Sequence, residues 1–316
     1  MTRELNIALI GCGNWGKNVA RNLHNMESLA CIYDIDTRLS KKLSHEYNSP
    51  IYDLNQIFKN KNITGVVIAS PAITHKDLAT QALENDKDVL IEKPFCLSLP
   101  DAQKLSLLAI NKNKVLMAGH LLNYHNAFIK MKKLIRNGKI GLLQNIRANR
   151  LALGAVRSEE SVIYDLSAHD ISMILSITEE LPIDVSVQSI HHNNNIGPDI
   201  VSVKLSFSKG VTALINSDWM CPYKEHKFSV IGTKGSLIFD DTKTWPEKLL
   251  YNPSFVTSKN SIITAPLKKI KIQENEPLKS ELEEFIGCIY SRKSPLTDHK
   301  EALKVQKVID MIEKKI

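Results

Sequence analysis

The residue pair in this chain that most directly suggests chemistry is Asp165 with His169, four positions apart in the stretch 162–175. That stretch reads as a helix, so the two side chains share a face, while Ile171, Ile174 and Leu175 form a separate apolar stripe. A carboxylate one turn from an imidazole can orient the ring and stabilise its protonated form, as a general base requires. The same spacing also suits a surface Asp/His pair making only a weak helix contact. Lys93 is the second candidate. It sits in Glu92-Lys93-Pro94, directly after the apolar run 88–91. Pro94 has a fixed φ and no N–H, and it moves Lys93 away from helical geometry, which gives the lysine a specific direction. A surface lysine before a turn would look alike.

The elements that must position these residues begin at the N-terminus. An apolar run over 5–10 opens through Gly11-Cys12-Gly13-Asn14-Trp15-Gly16 into helix-compatible sequence. Gly-x-Gly-x-x-Gly at a strand-to-helix turn offers free N–H groups and a helix dipole to a pyrophosphate, although three glycines also mark ordinary loops. A second short strand, 29–33, ends at Asp34, which lies 18 residues beyond Gly16. A dinucleotide fold places its ribose-binding carboxylate there, and a carboxylate repels a 2′-phosphate, so the spacing predicts NAD over NADP. Arg38 nearby is the residue type that would suit that phosphate instead.

Strand 65–69 is followed by the turn Ser70-Pro71-Ala72-Ile73-Thr74-His75, a helix over 74–85, strand 88–91 counted as the fifth, a helix over 98–111 and strand 114–118 closing a sixth βα repeat. Strands alternating with helices on short connections predict a parallel, doubly wound sheet with its ligand site at the carboxyl ends of the strands. Near residue 120 the pattern changes. A helix over 126–137 and a strand over 142–151 lead to alternating runs in which Val201, Val203, Leu205 and Phe207 interleave with polar residues, with a hairpin turn at Thr233-Lys234-Gly235. This predicts a sheet, mostly antiparallel, with one covered face. Apolar stripes through Leu282, Phe285, Ile286 and Ile289, and through Val305, Val308, Ile309 and Ile312, predict two C-terminal helices that pack back. The expected domains are 1–120, binding NAD, and 121–316, binding substrate and mediating oligomerisation, with the helices of 277–316 returning.

Composition narrows the function classes. A chain of 316 residues with 43% hydrophobic content can bury a substantial core. The net charge of +7 is spread along the sequence without a helix-turn-helix or an aromatic-basic platform, so no nucleic-acid partner is expected. The lysines around 267–272 and in the tail alternate with apolar residues, as on solvated faces. Five cysteines stand singly, which fits reduced, packed thiols and no metal site. No run spans a bilayer and the N-terminus lacks a signal pattern, so a cytoplasmic protein without a membrane partner is expected.

Taken in order, Gly11-x-Gly13-x-x-Gly16, Asp34, the Ser-Pro turn with His75, Glu92-Lys93-Pro94 and Asp165-x-x-x-His169-Asp170 resemble the Gfo/Idh/MocA (glucose-fructose oxidoreductase / inositol dehydrogenase) family over nearly the whole chain. The resemblance implies an α/β fold: a Rossmann doubly wound parallel sheet followed by an α+β domain with a large, mostly antiparallel open sheet. It implies catalytic roles for Lys93, His169 and Asp165, and a cofactor site made by Gly11, Gly13, Asn14, Trp15, Gly16, Asp34, Ser70, Pro71, His75, Glu92 and Lys93.

The stretches 119–125, 157–160 and 218–224 resemble the branch that oxidises UDP-linked N-acetylated amino sugars at C3 for an aminotransferase, in surface polysaccharide or lipid A biosynthesis. Asn126, Glu225 and His226 depart from that branch. Tyr124, Asn149, Arg150, Arg157 and Lys224 are the candidate substrate residues. Arg147, Arg150, Arg157 and Lys224 are the cations suited to a diphosphate or a carboxylate. The implied chemistry passes a hydride to NAD while His169 takes the hydroxyl proton and Lys93, its pKa lowered by burial, stabilises the oxygen. Alternatives are a free sugar or polyol such as inositol, a retained NAD recycled within each turnover, or a non-catalytic NAD- and sugar-binding protein. A homodimer or homotetramer through the open sheet face is expected.

Overall fold

The computed structural model describes residues 6–154, 159–192, 197–257 and 261–316. The chain forms two compact units, one of Met1–Leu121 with Leu278–Gln306 and one of Leu122–Pro277 with Lys307–Ile316.

In the first unit, β1 (Asn6–Ile10) leads into α1 (Gly16–Asn25), β2 (Leu29–Tyr33), α2 (Thr37–Tyr47), α3 (Leu54–Lys59), β3 (Ile63–Ile68), α4 (His75–Glu84), β4 (Asp88–Glu92), α5 (Leu99–Asn111) and β5 (Leu116–Gly119). The strands are parallel in the order β2-β1-β3-β4-β5. The central ones are mostly apolar because helices cover both faces, and Ile7, Leu9, Val67 and Leu90 are all fully buried. Sheet and helix share their apolar residues in one core that runs from Ala8 and Val66 to Ala102 and Leu105.

The sheet holds five strands, not six, and β4 is the fourth. Residues 48–52, between α2 and α3, reach the sheet only as a single bridge of Ile51 to Ile32. Pro50 lacks the N–H that a longer ladder would need. The position beyond β5 is taken by a C-terminal segment running antiparallel. Asp298 bridges Met117, and Thr297 bonds Ala118 through both its backbone oxygen and its hydroxyl, each at 2.8 Å.

The second unit opens with α6 (Asn126–Arg136) and β6 (Leu143–Leu151), followed by α7 (Ala168–Thr178), β7 (Asp184–Ile190), β8 (Ile200–Ser206), β9 (Thr212–Asp218), β10 (Glu225–Gly232), β11 (Gly235–Asp240), β12 (Leu249–Asn252), β13 (Phe255–Val256), β14 (Ile262–Ile263) and β15 (Lys268–Lys269). An eight-stranded sheet runs β15-β12-β11-β10-β6-β9-β8-β7. Its pairs are antiparallel except β6 with β9. Alternation is clean. Ile146, Ala148, Val203, Ile215, Phe228 and Leu237 are buried on one face, against which α6 packs with Phe128 edge-on to Phe228 at 5.7 Å. The opposite face carries Asn145, Arg147, Asn149, Ser202 and Asn216.

The chain closes with α8 (Pro277–Ser291) and α9 (His299–Glu313). α8 lies on the first unit's sheet: a Cβ added to Gly65 would sit 2.9 Å from Ile289 Cδ1 and 3.3 Å from Phe285 Cζ. That glycine exists to let α8 approach β3. Among the described residues no helix is long and apolar enough to cross a membrane.

Candidate active site

At the end of β1 the backbone passes through Gly11 with φ +101°, a conformation that L side chains rarely adopt. A Cβ there would also lie 2.5 Å from the Ala69 carbonyl carbon and the Ser70 nitrogen, and one on Gly16 would collide with the Gly11 carbonyl oxygen. Gly13 differs, because a Cβ on it would meet nothing within 4 Å. Its missing side chain leaves open space at the mouth of the turn. α1 starts at Gly16 with no side-chain cap and no acid in its first turn, so the positive end of its dipole meets no competing carboxylate, while the Lys17 and Asn18 N–H groups bond back to the Gly13 and Trp15 carbonyls at 3.2 and 2.8 Å.

Asp34 is locked against this turn. One carboxylate oxygen accepts the Cys12 N–H at 2.5 Å and the other the Asp36 N–H at 2.8 Å. Arg38, the cation suited to a 2′-phosphate, is paired with Asp36 through Nε at 3.2 Å and Nη2 at 3.0 Å. Burial, reinforced by Asp34, pushes the Cys12 thiol up to about 12, so Cys12 packs as a neutral thiol. A tight turn, an open Gly13, an uncapped helix and a fixed ribose-side carboxylate together fit NAD.

β4 delivers the next group. Glu92, its last residue, is only 6% exposed and accepts a hydrogen bond from the Trp15 indole, so it joins the glycine turn to the end of the strand. Burial pushes its carboxyl up to about 7, against the opposing pull of Trp15, Lys93 and His120. Lys93 follows, half-buried, and its peptide bond to Pro94 is cis. His75 is turned into the core, with Nδ1 2.8 Å from the Pro94 oxygen and Nε2 2.8 Å from the Ser70 oxygen. Burial holds the imidazole below its usual value. His75 thus braces the Ser70 turn against Pro94 and presents no ring atom to a ligand, whereas Ser70 is half-buried and Pro71 and Asn14 are exposed. Behind Glu92, His120 Nδ1 lies 2.7 Å from Glu301 Oε2. Glu281 on α8 is fully buried, and neither of its carboxyl oxygens has a hydrogen-bond partner among the described residues. Burial, then the nearby Glu92 and Glu284, push it well above the usual carboxyl range.

In the second unit, Asp165 and His169 are not carried by one continuous α-helix. Ile163–Ser167 form a π turn, and α7 begins only at Ala168. Such turns recur at functional sites and depend on support from outside the helix. Here the support is explicit. Trp219 Nε1 donates to Asp165 Oδ2 at 3.2 Å, and the hydroxyls of Ser167 and Ser217 meet at 2.8 Å. Asp170, next to His169, takes a two-pronged bond from Arg150 on β6, with Nε to Oδ2 at 3.0 Å and Nη2 to Oδ1 at 2.9 Å. Burial works against the Arg150 charge, but Asp170 outweighs it and raises the guanidinium's value. His226 pairs with Arg150 in the ladder between β10 and β6. Burial, followed by Arg150 and Lys224, lowers it to about 4, so it is neutral. For Asp241 burial works upward, but hydrogen bonds from His125 and Lys248 hold it well below the usual carboxylate range.

The expected substrate residues divide. Arg150 is on the covered face beside the π turn, already engaged by Asp170. Asn149, its neighbour, points to the opposite face, where Nδ2 donates to Glu225 Oε1 at 2.9 Å and Oδ1 accepts from Asn216 at 2.9 Å. Arg147 is exposed on that outward face too. Strand alternation separates them from Arg150. Tyr124 is buried, and its carbonyl accepts from Asn275 at 2.9 Å. Lys224 is exposed beside His226, and Arg157 lies outside the described residues. Residue spacing left Trp219, Asp170 and Glu281 without roles. The only prior signal for Glu281 was its place one turn before Phe285 on an apolar helix face.

Comparison with known proteins gives the class. A family model described as an oxidoreductase family with an NAD-binding Rossmann fold matches residues 5–120, and the GFO/IDH/MocA C-terminal domain matches residues 128–238. The chain belongs to the GFO/IDH/MocA family, and it is an NAD-dependent oxidoreductase.

Among its relatives, 2,7-anhydro-N-acetylneuraminate hydratase of Escherichia coli is 24% identical over 257 residues, covering 76% of this chain and 68% of the relative. Myo-inositol 2-dehydrogenase of Thermotoga maritima is 26% identical over 259 residues, covering 76% of each. In fold, the chain matches UDP-N-acetylglucosamine 3-dehydrogenase GnnA from Acidithiobacillus ferrooxidans with a TM-score of 0.86 at 20% identity, covering 99% of this chain and 97% of that one.

Proposed function

We propose that the chain oxidises the C3 hydroxyl of a UDP-linked N-acetylated sugar to a ketone, with Lys93, His169 and Asp165 as the catalytic groups. The observation that carries this reading is the anchored Asp165 on a supported π turn, one turn before His169, in a chain whose other unit pairs an NAD-fitted glycine turn with Lys93 at the end of β4. NAD, when bound, supplies the hydride acceptor. His169 takes the proton from the sugar hydroxyl, and the Lys93 ammonium donates a hydrogen bond to the oxygen as it gains negative charge. Asp165, itself fixed by Trp219, orients the imidazole and stabilises its charged form.

The stretch from Asp218 to Lys224, which holds Trp219, and the fold shared with GnnA support a nucleotide sugar. The inositol dehydrogenase and hydratase relatives define the competing arms: a free polyol, and a reaction with no net change in oxidation state. The outward face of the large sheet, with its row of Ser202, Asn216, Asn149 and Glu225, is the surface that a second copy would cover. Light scattering on a gel-filtration column reads that directly.

The decisive experiment offers UDP-N-acetylglucosamine, its uronic acid and myo-inositol to the protein with NAD⁺ and a ketone trap, and follows NADH. Turnover of a UDP-sugar, lost by at least ~10²-fold in Lys93→Ala and in His169→Ala, supports the reading. Reduction of NAD⁺ by the polyol alone refutes the substrate assignment. Sugar conversion without net NADH moves the reaction to the redox-neutral arm.

A further inference from the structure

Arg150 is the residue whose chemistry and placement disagree most. Its fork of donors suits a substrate anion, yet its Nε and Nη2 are both spent on Asp170, which is 1% exposed. We propose that Arg150 and Asp170 form a buried clasp that sets the pitch of the turn presenting Asp165 and His169. On this account Arg150 is a positioning residue that never touches substrate. The inference rests on the reading of His169 as the base.

Three observations carry it. First, the clasp joins a rigid strand to the residue immediately after His169, so its geometry is passed to the imidazole through one peptide unit. Second, the π turn ahead of it is the part of the helix least able to hold its own shape. Among its further ties are single contacts: Ser167 to Ser217, the Val162 N–H to the Pro198 oxygen at 3.3 Å, and Trp219 to Asp165. Arg150–Asp170 is a two-pronged, charge-assisted tie, and it fixes direction as well as distance. Third, the surroundings hold Arg150 in place. Asp170, Asp241 and Asp165 all attract it, and Asp241 is in turn held by Lys248 at 2.6 Å. The ring across the ladder, His226, is neutral and offers no competing anion.

The clasp makes opposite electrostatic predictions for its two halves. The charged and titratable groups around it include Asp165 and Asp170 on the helix, Arg150 from β6, His226 on β10 with Lys224 just before it, and Asp240 and Asp241 with Lys248 and His125. Removing Arg150 leaves the Asp170 charge uncompensated beside His169, which favours the imidazolium. Removing the Asp170 charge leaves Arg150 uncompensated, which disfavours it. A role confined to folding does not yield shifts of opposite sign.

The test follows the His169 imidazole by NMR across pH in Arg150→Met, Asp170→Asn and the double variant, assigning the signal with His169→Asn. Dispersed amide signals from the second unit, read in the same NMR samples, report that each variant is folded. The expected result is a midpoint raised by roughly half a unit or more in Arg150→Met, lowered similarly in Asp170→Asn, and close to wild type in the double variant. With UDP-N-acetylglucosamine as the probe, kcat falls by roughly 10²-fold in each single variant while KM changes little, as for a displaced catalytic group. Arg150→Lys, which keeps the charge but not the fork, restores the midpoint and not kcat. Shifts of the same sign, or none, overturn the clasp. So does a KM raised tenfold at constant kcat in Arg150→Met with Asp170→Asn silent, which would make Arg150 a substrate ligand. The underlying base assignment fails separately, if His169→Ala turns over normally, and the imidazole titration judges the clasp whether or not the sugar reacts.

Discussion

Glu92→Gln should make the protein more tolerant of rising pH. In the folded chain, burial moves the Glu92 carboxyl from its ordinary 4.5 up to about 7. An acid raised in this way is still protonated in the native state when the unfolded chain has already ionised, so folding binds a proton. The associated stability is fully present below pH ~4.5 and is lost as pH rises through about 7. Each pH unit between those values removes ~1.4 kcal/mol, or about 3 kcal/mol in total. Gln cannot ionise, has nearly the same shape, and its amide oxygen can still accept the Trp15 N–H. Urea unfolding followed by circular dichroism at half-unit steps from pH 4.5 to 8, without cofactor, compares the two proteins. The difference in unfolding free energy between Glu92→Gln and wild type should grow by about 3 kcal/mol over that range and then level off. Slope left in Glu92→Gln with the same sign belongs to Glu281 and Glu313, whose carboxyls are also raised by burial, and Glu92→Gln/Glu281→Gln should reduce it. Parallel curves for wild type and Glu92→Gln would refute the account of Glu92 as a buried, largely protonated acid.

Four other substitutions separate fold from site. Gly11→Ala puts a Cβ 2.5 Å from backbone at φ +101° and should cost about 2 kcal/mol or more, whereas Gly13→Ala meets no atom within 4 Å and should leave the melting temperature nearly unchanged while weakening NAD binding at least ~10-fold. Titration of NAD against the folded Gly13→Ala protein decides this, and undiminished affinity would remove the pyrophosphate from this turn. Asp34→Ala strips the acceptor from two N–H groups and should cut NAD affinity by roughly 10- to 100-fold while narrowing the preference over NADP, measured as the two dissociation constants. Trp219→Phe keeps the ring but loses the bond to Asp165, so kcat should fall about tenfold with a destabilisation of about 1–3 kcal/mol, read by steady-state rates and a thermal melt.

The parts of this chain legible from residues alone were those with a strict local rule. Glycine at a turn of φ +101°, a carboxylate at the end of β2, and apolar runs alternating with helices each follow from backbone sterics or burial, and the five-stranded parallel sheet shows them. The count of six repeats failed because 88–91 was numbered fifth although only three strands precede it: residues 48–52 make a single bridge, Ile51 to Ile32, and no further strand. The π turn was invisible for another reason: one residue more in a helical turn leaves composition and periodicity almost unchanged. Arg150 was legible in type but not in partner, since a guanidinium fork suits a side-chain carboxylate as well as a substrate anion, and Asp170 stands 20 residues away. One clue had been available. Ile146 and Ala148 fix the covered face of β6, and the period of two then sends Arg150 inward and Asn149 outward.

The acids around Arg150 and those near the end of β4 are held in opposite ways, and that difference bears on how the enzyme responds to pH. Near the end of β6 the acids have named donors: Trp219 for Asp165, Arg150 for Asp170, His125 and Lys248 for Asp241. Asp241, held below its ordinary value, adds stability that is present above pH ~3.8 and is lost only as pH falls further. At the end of β4, Glu92 and Glu281 are buried with less compensation, and their contribution is lost in the other direction, as pH rises above ~4.5. The acids beside His169 are thus each tied to a named donor, which holds the turn that carries the base. Glu92, the carboxyl next to Lys93, instead changes its charge as pH passes about 7. A group near 7 in the rate profile of this enzyme that disappears in Glu92→Gln therefore belongs to Glu92.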